Sequence, residues 1–285
     1  MKEGLISIIM PARNNEITIG VAIESLLNQT YKFFELITVD DYSNDSTGSI
    51  IANYAKLDNR LRKAKPLFDD PHRFWGGNNV NAGYSARNRG LELARGEWIT
   101  FQDADDISLL NRLEIQLELV QYYNALHLTT DCFWLEEDKH FGRKLDWQRF
   151  LKEQNPTIIK FDKILRQGRS ERGQLHNLPD WLYSAIPLRL KRSKYAMHLF
   201  YRKLDTETGY PGAANNPFIH TSLAQQARFR PISTRRWPSS RGRGADRDFN
   251  FQLAVKFGKS IYIDIPLYGW RTPTPFESNV DHYLL

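Results

Sequence analysis

Residues 5–27 read LISIIMPARNNEITIGVAIESLL, and two different hydrophobic patterns follow one another within this stretch. The apolar run Leu5–Met10 predicts a β-strand that Pro11 closes. Over Thr18–Leu27 the apolar residues recur at helical spacing, which predicts an amphipathic α-helix. A strand followed directly by a helix is the unit from which α/β folds with parallel sheets are built.

The same strand-then-helix order returns along the chain. We predict further strands over 34–39, 98–101 and 261–265, and further helices over 46–55, 84–94, 109–123 and 246–257. Between residues 131 and 245 the hydrophobic periodicity breaks repeatedly, so we predict no elements there. The pattern as a whole predicts an α/β fold whose mostly parallel central sheet is flanked by helices.

Composition is that of an ordinary globular protein, with 285 residues, of which 41% are hydrophobic and 25% charged. The longest apolar runs are far shorter than the ~20 residues that a membrane-spanning helix needs. Cys132 is the only cysteine, which excludes an internal disulfide and fits a reducing compartment. We therefore expect a cytoplasmic protein without a secretion leader.

Positive charge is unevenly distributed. The formal net charge of +6 favours an anionic partner, which could be a nucleic acid, an anionic membrane surface or a phosphorylated small molecule. Residues 228–247 contain a single acidic residue, Asp246, and seven arginines. The arginines are Arg228, Arg230, Arg235, Arg236, Arg241, Arg243 and Arg247. We interpret the middle of this stretch as an exposed, mobile basic loop that closes over a diphosphate. Contact with an anionic membrane or nucleic acid, and a solvated loop without a ligand, are the alternatives.

Carboxylates collect after two of the predicted strands. Asp40 and Asp41 follow the second strand, whereas Asp103, Asp105 and Asp106 follow the strand 98–101. Ligands of parallel sheets bind at the carboxyl ends of the strands, and residues two apart in a strand point the same way. Asp103 and Asp105 can therefore hold one Mg²⁺ or Mn²⁺ together. The alternative is a solvated acidic turn in which Asp106 caps the following helix.

Four short motifs together resemble the amino-terminal half of the family 2 glycosyltransferases of GT-A fold. They are a strand ending in proline with an asparagine soon after, the Val-Asp-Asp turn, the Ala-Arg-Asn-Arg-Gly helix start and Asp-Ala-Asp after a strand, within 7–47 and 81–106. Their order and spacing match over roughly residues 5–120. The resemblance implies a GT-A, Rossmann-like fold with a nucleotide-sugar-binding half, 1–125, and an acceptor-binding half that carries the basic loop, 126–285.

The resemblance also implies roles for individual residues. Pro11 and Arg13 would line the nucleotide pocket, although Arg13 stands where the family often has an aromatic residue. Asp41 would accept a hydrogen bond from the base. Asp103 would lie against the ribose or sugar, and Asp105, with Asp103, would hold Mn²⁺ or Mg²⁺ on the diphosphate.

Two further residues complete the implied site. Arg87, near the start of the helix 84–94, is expected to bind phosphate or donor-sugar oxygens, with a surface ion pair as the alternative. The segment GADRDFNFQLAVKFG, 244–258, resembles the acceptor-side segment of the family and places Asp246 at the general-base position. Ala245 stands where the family often has glutamate. Asp248 is a rival base, but helical geometry points it away from Asp246.

The resemblance implies a metal-dependent, inverting glycosyltransferase. Its donor would be a nucleotide diphosphate sugar, by family habit a UDP-sugar, and its acceptor a hydroxyl of a glycan, a lipid-linked molecule or a protein. A sugar-phosphate nucleotidyltransferase is an alternative, but PARNNE is not the glycine-rich basic signature of that class. A non-catalytic module that binds nucleotide, glycan or nucleic acid is a second alternative. Nucleic acid is disfavoured, and peripheral contact with an anionic membrane stays open.

Overall fold

The computed structural model describes residues 4–70, 73–75, 78–79, 81–136, 139–191, 193, 195–201, 217–237, 244–272 and 280–285. The strands in these residues are β1 (Ile6–Ala12), β2 (Phe34–Asp40), β3 (Leu61–Ala64), β4 (Phe74–Trp75), β5 (Asn78–Asn79), β6 (Trp98–Phe101), β7 (Ile107–Ser108), β8 (His127–Trp134), β9 (Ile158–Ile159), β10 (Phe218–His220) and β11 (Ser260–Trp270).

The helices alternate with these strands in the first half and cluster in the second. They are α1 (Ile19–Leu27), α2 (Thr47–Leu57), α3 (Tyr84–Leu93), α4 (Arg112–Tyr122), α5 (Trp147–Gln154), α6 (Phe161–Ser170), α7 (Asp180–Ala185), α8 (Leu188–Lys191), α9 (Met197–Phe200), α10 (Thr221–Ala224) and α11 (Ala245–Phe257), with short 3₁₀ helices at Ile232–Thr234 and Val280–Tyr283. None of the helices in the described residues has the length and apolar character needed to cross a bilayer.

Nine strands of the described chain form one sheet in the order β3-β2-β1-β6-β10-β8-β11-β7, with β9 paired to β11. The long strands pair in parallel: β1 with β2 and β6, β2 with β3, and β8 with β11. Only the short strands β7, β9 and β10 pair antiparallel within this sheet. The predicted α/β fold with a mostly parallel sheet is therefore confirmed. Because β10 pairs with both β6 and β8, the sheet spans the two halves, and their division at residue 125 stays a prediction.

Two hydrophobic layers cover the sheet. Ile8 of β1 packs in the cluster that contains α1 and α4, whereas its neighbour Ile9 packs with residues of α3 and α11. This alternation follows from the two-residue period of a strand whose both faces are buried. Gly90 brings α3 close to the sheet, since a Cβ at that position would overlap the Cγ2 methyl of Ile9.

The sequence prediction is weakest after residue 125. The strand β8, which is the parallel neighbour of β11, was not predicted, because its buried residues include the polar His127, Thr129 and Thr130 and so show no clear hydrophobic pattern. The region 131–245 also contains β9, β10, six short α-helices and one 3₁₀ helix among its described residues. Elements of two to ten residues are too short to show hydrophobic periodicity.

We expect Gly90→Ala to lower the free energy of unfolding by about 1–3 kcal/mol, because the added methyl overpacks against the stiff side chain of Ile9. Gly20→Ala is the matched control: its Cβ would lie 3.6 Å from the Tyr54 hydroxyl, an ordinary contact. The control should be neutral or stabilising by up to about 1 kcal/mol, the helix propensity difference. Urea unfolding of both variants measures this, and equal midpoints would contradict the close packing.

Candidate active site

Parallel pairing brings the predicted site residues to one edge of the sheet. Ala12 pairs with Asp40 at the end of β1 and β2, and Ile9 pairs with Phe101 at the end of β6. The carboxyl ends of three strands therefore meet where α/β sheets bind ligands. The strand β1 continues through Pro11 to Ala12 rather than ending at the proline. Pro11 is therefore the second-to-last residue of the strand.

Asp41 is buried, and its carboxylate accepts two hydrogen bonds from Arg73, at 2.7 and 2.8 Å. Arg73 also pairs with Asp69, four residues earlier. A carboxylate has about four acceptor positions, so Asp41 can still accept a hydrogen bond from a ligand. Arg73 was missed by the sequence analysis, because it lies in a stretch without periodicity. The spacing of Asp69 and Arg73 was the available signal.

Arg13 contacts the turn that contains Asp41. Its guanidinium donates to the backbone carbonyl groups of Asp41 and of Tyr42, the latter at 3.0 Å. Tyr42 has a left-handed backbone conformation with a φ of 58°, which closes the turn after β2. Arg13 therefore stabilises the turn that presents Asp41.

The acidic turn contains three carboxylates with oxygen atoms within 4.8 Å of one another, those of Asp103, Asp105 and Asp106. Asp106 is buried and accepts hydrogen bonds from the Tyr268 hydroxyl and the Arg271 backbone amide, both at 2.7 Å. The Tyr268 hydroxyl also accepts from the Asp103 amide at 2.9 Å. The expectation that Asp106 caps the next helix is wrong, because α4 begins later and Asp106 anchors the turn to the end of β11.

The chemistry of this cluster fits a divalent cation. Burial, together with the negative charges of Asp105 and Asp103, raises the pKa of Asp106 well above its ordinary value. Asp103 is partly exposed and Asp105 is exposed, so both can receive ligands. Hard carboxylate oxygens in this number are suited to Mg²⁺ or Mn²⁺. Asp103 and Asp105 are the residues that would hold the ion, since both oxygens of Asp106 are already hydrogen-bonded.

Arg87 joins the acidic turn to the other half of the chain. Its buried guanidinium pairs with Asp103 at 2.5 Å, and its Nε atom lies 3.7 Å from a carboxylate oxygen of Asp246. Gly83, with a φ of 67°, makes room for it, because a Cβ there would lie 2.7 Å from Nη1 of Arg87. Arg87 is the fourth residue of α3 and is buried, so the alternative of a surface ion pair is wrong. Its role in donor binding stays a prediction.

The two aspartates of α11 have different environments. Asp246 lies in the first turn and keeps 25% of its side chain exposed beside Arg87. Asp248 is fully buried and accepts hydrogen bonds from the backbone amides of Arg236, at 2.6 Å, and Trp237, at 3.1 Å. Asp246 and Asp248 thus contact different segments, as the helical geometry predicts. The assignment of Asp246 as the base stays a prediction.

The expectation of an exposed basic loop is wrong for Arg235 and Arg236. Arg236 is buried, donates to the carbonyl groups of His176 and Leu178 at 3.0 and 2.8 Å, and pairs with Asp180 at 2.6 Å. Arg235 is also buried, and it donates to backbone carbonyl groups of residues 230 and 81. Arg235 and Arg236 therefore have a structural role, because their guanidinium groups donate hydrogen bonds to backbone carbonyl groups. Arg241 and Arg243 lie outside the described residues.

The sequence model described as Glycosyl transferase family 2 matches residues 7–168. The chain belongs to this family, since the match covers more than half of its 285 residues. Over 120 residues it is 36% identical to the Escherichia coli protein named UDP-Glc:alpha-D-GlcNAc-diphosphoundecaprenol beta-1,3-glucosyltransferase WfgD, and the match covers 42% of each chain. The chain thus spans less than half the length of this relative.

Solved structures show the same fold. The chain matches S. aureus TarS 1-349 in complex with UDP with a TM-score of 0.56 and 17% identity, over 94% of this chain and 60% of the other. It matches the mannosyltransferase PcManGT from Pyrobaculum calidifontis, in complex with GDP-Man and Mn²⁺, with a TM-score of 0.51 and 14% identity, over 93% and 56% of the two chains. The fold is of the GT-A type, as the resemblance implied.

We expect Arg236→Ala to lower the free energy of unfolding by about 1–3 kcal/mol, because it leaves buried carbonyl groups without a donor. Arg166→Ala, which removes an exposed arginine from α6, is the control and should change stability by less than about 0.5 kcal/mol. Thermal and urea unfolding measure both. Similar stability of the two variants would mean that the arginine at 236 is not a structural residue.

Proposed function

We propose that this protein is a glycosyltransferase that moves a sugar from a nucleotide diphosphate sugar to a hydroxyl acceptor. The observation that supports this most directly is the position of Arg87 between Asp103, at the end of β6, and Asp246, at the start of α11. The carboxylate proposed for the donor side and the one proposed for the acceptor side thus lie near the same guanidinium. Membership of glycosyl transferase family 2 supports the same function.

The buried pair of Asp41 and Arg73 supports nucleotide recognition. Together the two side chains offer carboxylate acceptors and guanidinium donors near Ala12 at the end of β1, which suits the hydrogen-bonding edge of a pyrimidine base. We propose UDP as the nucleotide. Two proteins similar to this chain point to it: TarS is seen with UDP, and the E. coli relative is named for UDP-Glc.

Asp103 and Asp105 would hold Mn²⁺ or Mg²⁺, and PcManGT is seen with Mn²⁺. When bound, the ion supplies Lewis-acid stabilisation of negative charge on the leaving diphosphate. The chain's own contribution is to fix the carboxylates. Tyr268 and Arg271 hold the turn through Asp106, and the Arg87 ion pair orients Asp103.

Asp246 would act as the general base. Its carboxylate is partly exposed, so an acceptor hydroxyl can reach it, and contact with Arg87 limits its orientations. As the acceptor oxygen attacks the anomeric carbon, Asp246 takes the hydroxyl proton and the bond to the diphosphate breaks on the opposite face. A single displacement of this kind inverts the anomeric configuration.

We propose a lipid-linked or other glycan as acceptor, because the E. coli relative is named for a diphosphoundecaprenol-linked one. Such an acceptor would place the protein in the cytoplasm at the surface of a membrane. The free thiol of Cys132 agrees with a reducing compartment.

Incubation with UDP-, GDP-, CDP- and dTDP-sugars, with Mn²⁺ or with EDTA, tests the proposed function. We expect UDP release from one UDP-sugar, faster when a glycan acceptor is present, and a higher thermal midpoint with UDP and Mn²⁺. Ligand binding without turnover on any donor and acceptor would favour the non-catalytic alternative. Release of pyrophosphate from a nucleoside triphosphate would favour the nucleotidyltransferase.

We expect Asp105→Asn to abolish the Mn²⁺ dependence of UDP binding and to leave the fold intact, because it removes a proposed metal ligand and its side chain is exposed. Asp162→Asn, on the exposed surface of α6, removes the same charge and is the control. Calorimetric titration with UDP, in Mn²⁺ and in EDTA, measures the effect. Unchanged metal dependence in Asp105→Asn would exclude this residue as a ligand.

We expect Asp246→Asn to lower kcat by about 10²-fold or more, because the amide cannot accept the hydroxyl proton, and to leave donor affinity unchanged. Asp248→Asn should instead lower stability by about 1–3 kcal/mol, since it removes the charge beside Arg230 and replaces one of two occupied acceptor oxygens with an NH₂ donor. Donor calorimetry and product release on both variants separate these effects. Equal loss of donor affinity and rate in Asp246→Asn would make this residue a ligand contact.

A further inference from the structure

A cleft that we call the basic pocket lies beside α11 and has a volume of about 460 Å³. Its lining includes Arg172, His176, Arg230, Trp237, Gln252 and Lys256. Among its described lining residues there is no aspartate or glutamate. The pocket therefore concentrates positive charge without a carboxylate on its surface.

The basic pocket is separate from the candidate active site. Gln252 and Lys256 continue the helix face of Asp248, since four residues make about one turn. Asp248 lies about 160–200 degrees around the helix from Asp246. The pocket thus borders the face of α11 that points away from the proposed base, and its function does not depend on the proposed transfer reaction.

The cations of the pocket are incompletely neutralised. Within the described part of the chain, neither Arg172 nor Lys256 has a carboxylate partner, and the buried Nε atom of Arg172 has no hydrogen-bond acceptor. Lys256 donates to the backbone carbonyl of Gln226 at 3.3 Å. Nη1 of Arg230 is also buried without a hydrogen-bond acceptor, and it lies 3.7 Å from Asp248.

The carboxylate of Asp248 is already engaged by hydrogen bonds within the protein. Its carboxylate already accepts hydrogen bonds from two backbone amides and from the Gln252 side chain, at 2.6, 3.1 and 2.9 Å. The carboxylate at Asp180 pairs with Arg236, and Glu171 pairs with Arg247. Of the cationic side chains Arg172, Arg230 and Lys256, Arg230 alone lies against a carboxylate among the described residues, the buried and already engaged one of Asp248.

His176 is buried near three arginines of this region. It is 8% exposed, and its Nδ1 atom has no hydrogen-bond partner in the described chain. Burial and the charges of Arg172, Arg236 and Arg230 lower the pKa of His176 to about 3, so its imidazole is neutral at physiological pH. A buried polar atom without a partner is costly unless a ligand or water satisfies it.

We propose that the basic pocket binds a phosphoryl group through Arg172, Arg230 and Lys256. A phosphate ester carries up to two negative charges and three acceptor oxygens, so it neutralises the positive charge of the pocket better than a single carboxylate. Arginine guanidinium groups match phosphate oxygens in a two-pronged manner. A soluble phosphate or diphosphate and the headgroup of an anionic lipid present the same chemistry.

The test titrates the full chain with inorganic phosphate and with pyrophosphate at constant ionic strength, by calorimetry. EDTA is present so that no metal ion recruits phosphate to the acidic turn. We expect saturable binding that weakens at least 10-fold in Arg172→Gln/Lys256→Gln. The control Lys152→Gln/Arg166→Gln removes the same charge from exposed positions on α5 and α6 and should bind as the wild type does.

A second arm identifies the source of the phosphoryl group. Vesicles of phosphatidylglycerol and of phosphatidylcholine are sedimented with each variant. Binding to phosphatidylglycerol alone, lost in Arg172→Gln/Lys256→Gln and kept in the control, assigns a lipid headgroup. Saturable phosphate or pyrophosphate binding without vesicle binding assigns a soluble ligand.

Two outcomes overturn the proposal. One is no saturable binding in either arm, and the other is equal weakening in both double variants, which indicates net charge rather than a site. Arg172→Lys keeps the charge and should retain most of the affinity. If Arg172→Gln/Lys256→Gln has a lower thermal midpoint, Lys256→Gln alone, which changes an exposed side chain at the rim, should still weaken binding several-fold.

Discussion

One buried guanidinium connects the carboxylates on which the candidate active site depends. Arg87 pairs with Asp103 and lies 3.7 Å from Asp246, and 4% of the residue is exposed. A buried arginine without partners would cost several kcal/mol, and the ion pair with Asp103 offsets this cost where α3 packs on the sheet. Because Asp103 lies two residues after β6 and Asp246 lies in the first turn of α11, a single side chain connects the acidic turn to the second half of the chain.

Behind this ion pair, buried polar groups hold the end of β6 in place. Arg112 is fully buried and donates to Thr100 at 2.6 Å, to the Phe101 carbonyl at 2.9 Å and to Ser108 at 2.8 Å. Burial lowers the pKa of Arg112 to about 10, so it stays charged at neutral pH. The Tyr268 hydroxyl anchors the next residues of the turn. The acidic turn is thus anchored by hydrogen bonds, while the carboxylates of Asp103 and Asp105 stay accessible.

The second half of the chain is organised by polar contacts more than by hydrophobic periodicity. Asn88 of α3 exchanges two hydrogen bonds with the backbone of Phe229, at 2.8 and 2.9 Å. Asp248 and Arg236 bind backbone groups of the segments that pack on α11. Such contacts depend on residues distant in the chain, which explains why the sequence predicted exposed arginines where the structure buries Arg235.

Apart from the short strands β3, β4, β5 and β7, the sequence by itself determined the order of strands and helices over the first 125 residues, and it determined the presence of carboxylates at two strand ends. These are local properties, because periodicity and turn residues act within a few positions. Only the tertiary structure decided which polar side chains meet. Whether Arg73 binds Asp41, whether Arg87 joins Asp103 to Asp246, and which arginines are buried depend on long-range packing, since a charged side chain becomes structural only where distant elements supply its partners.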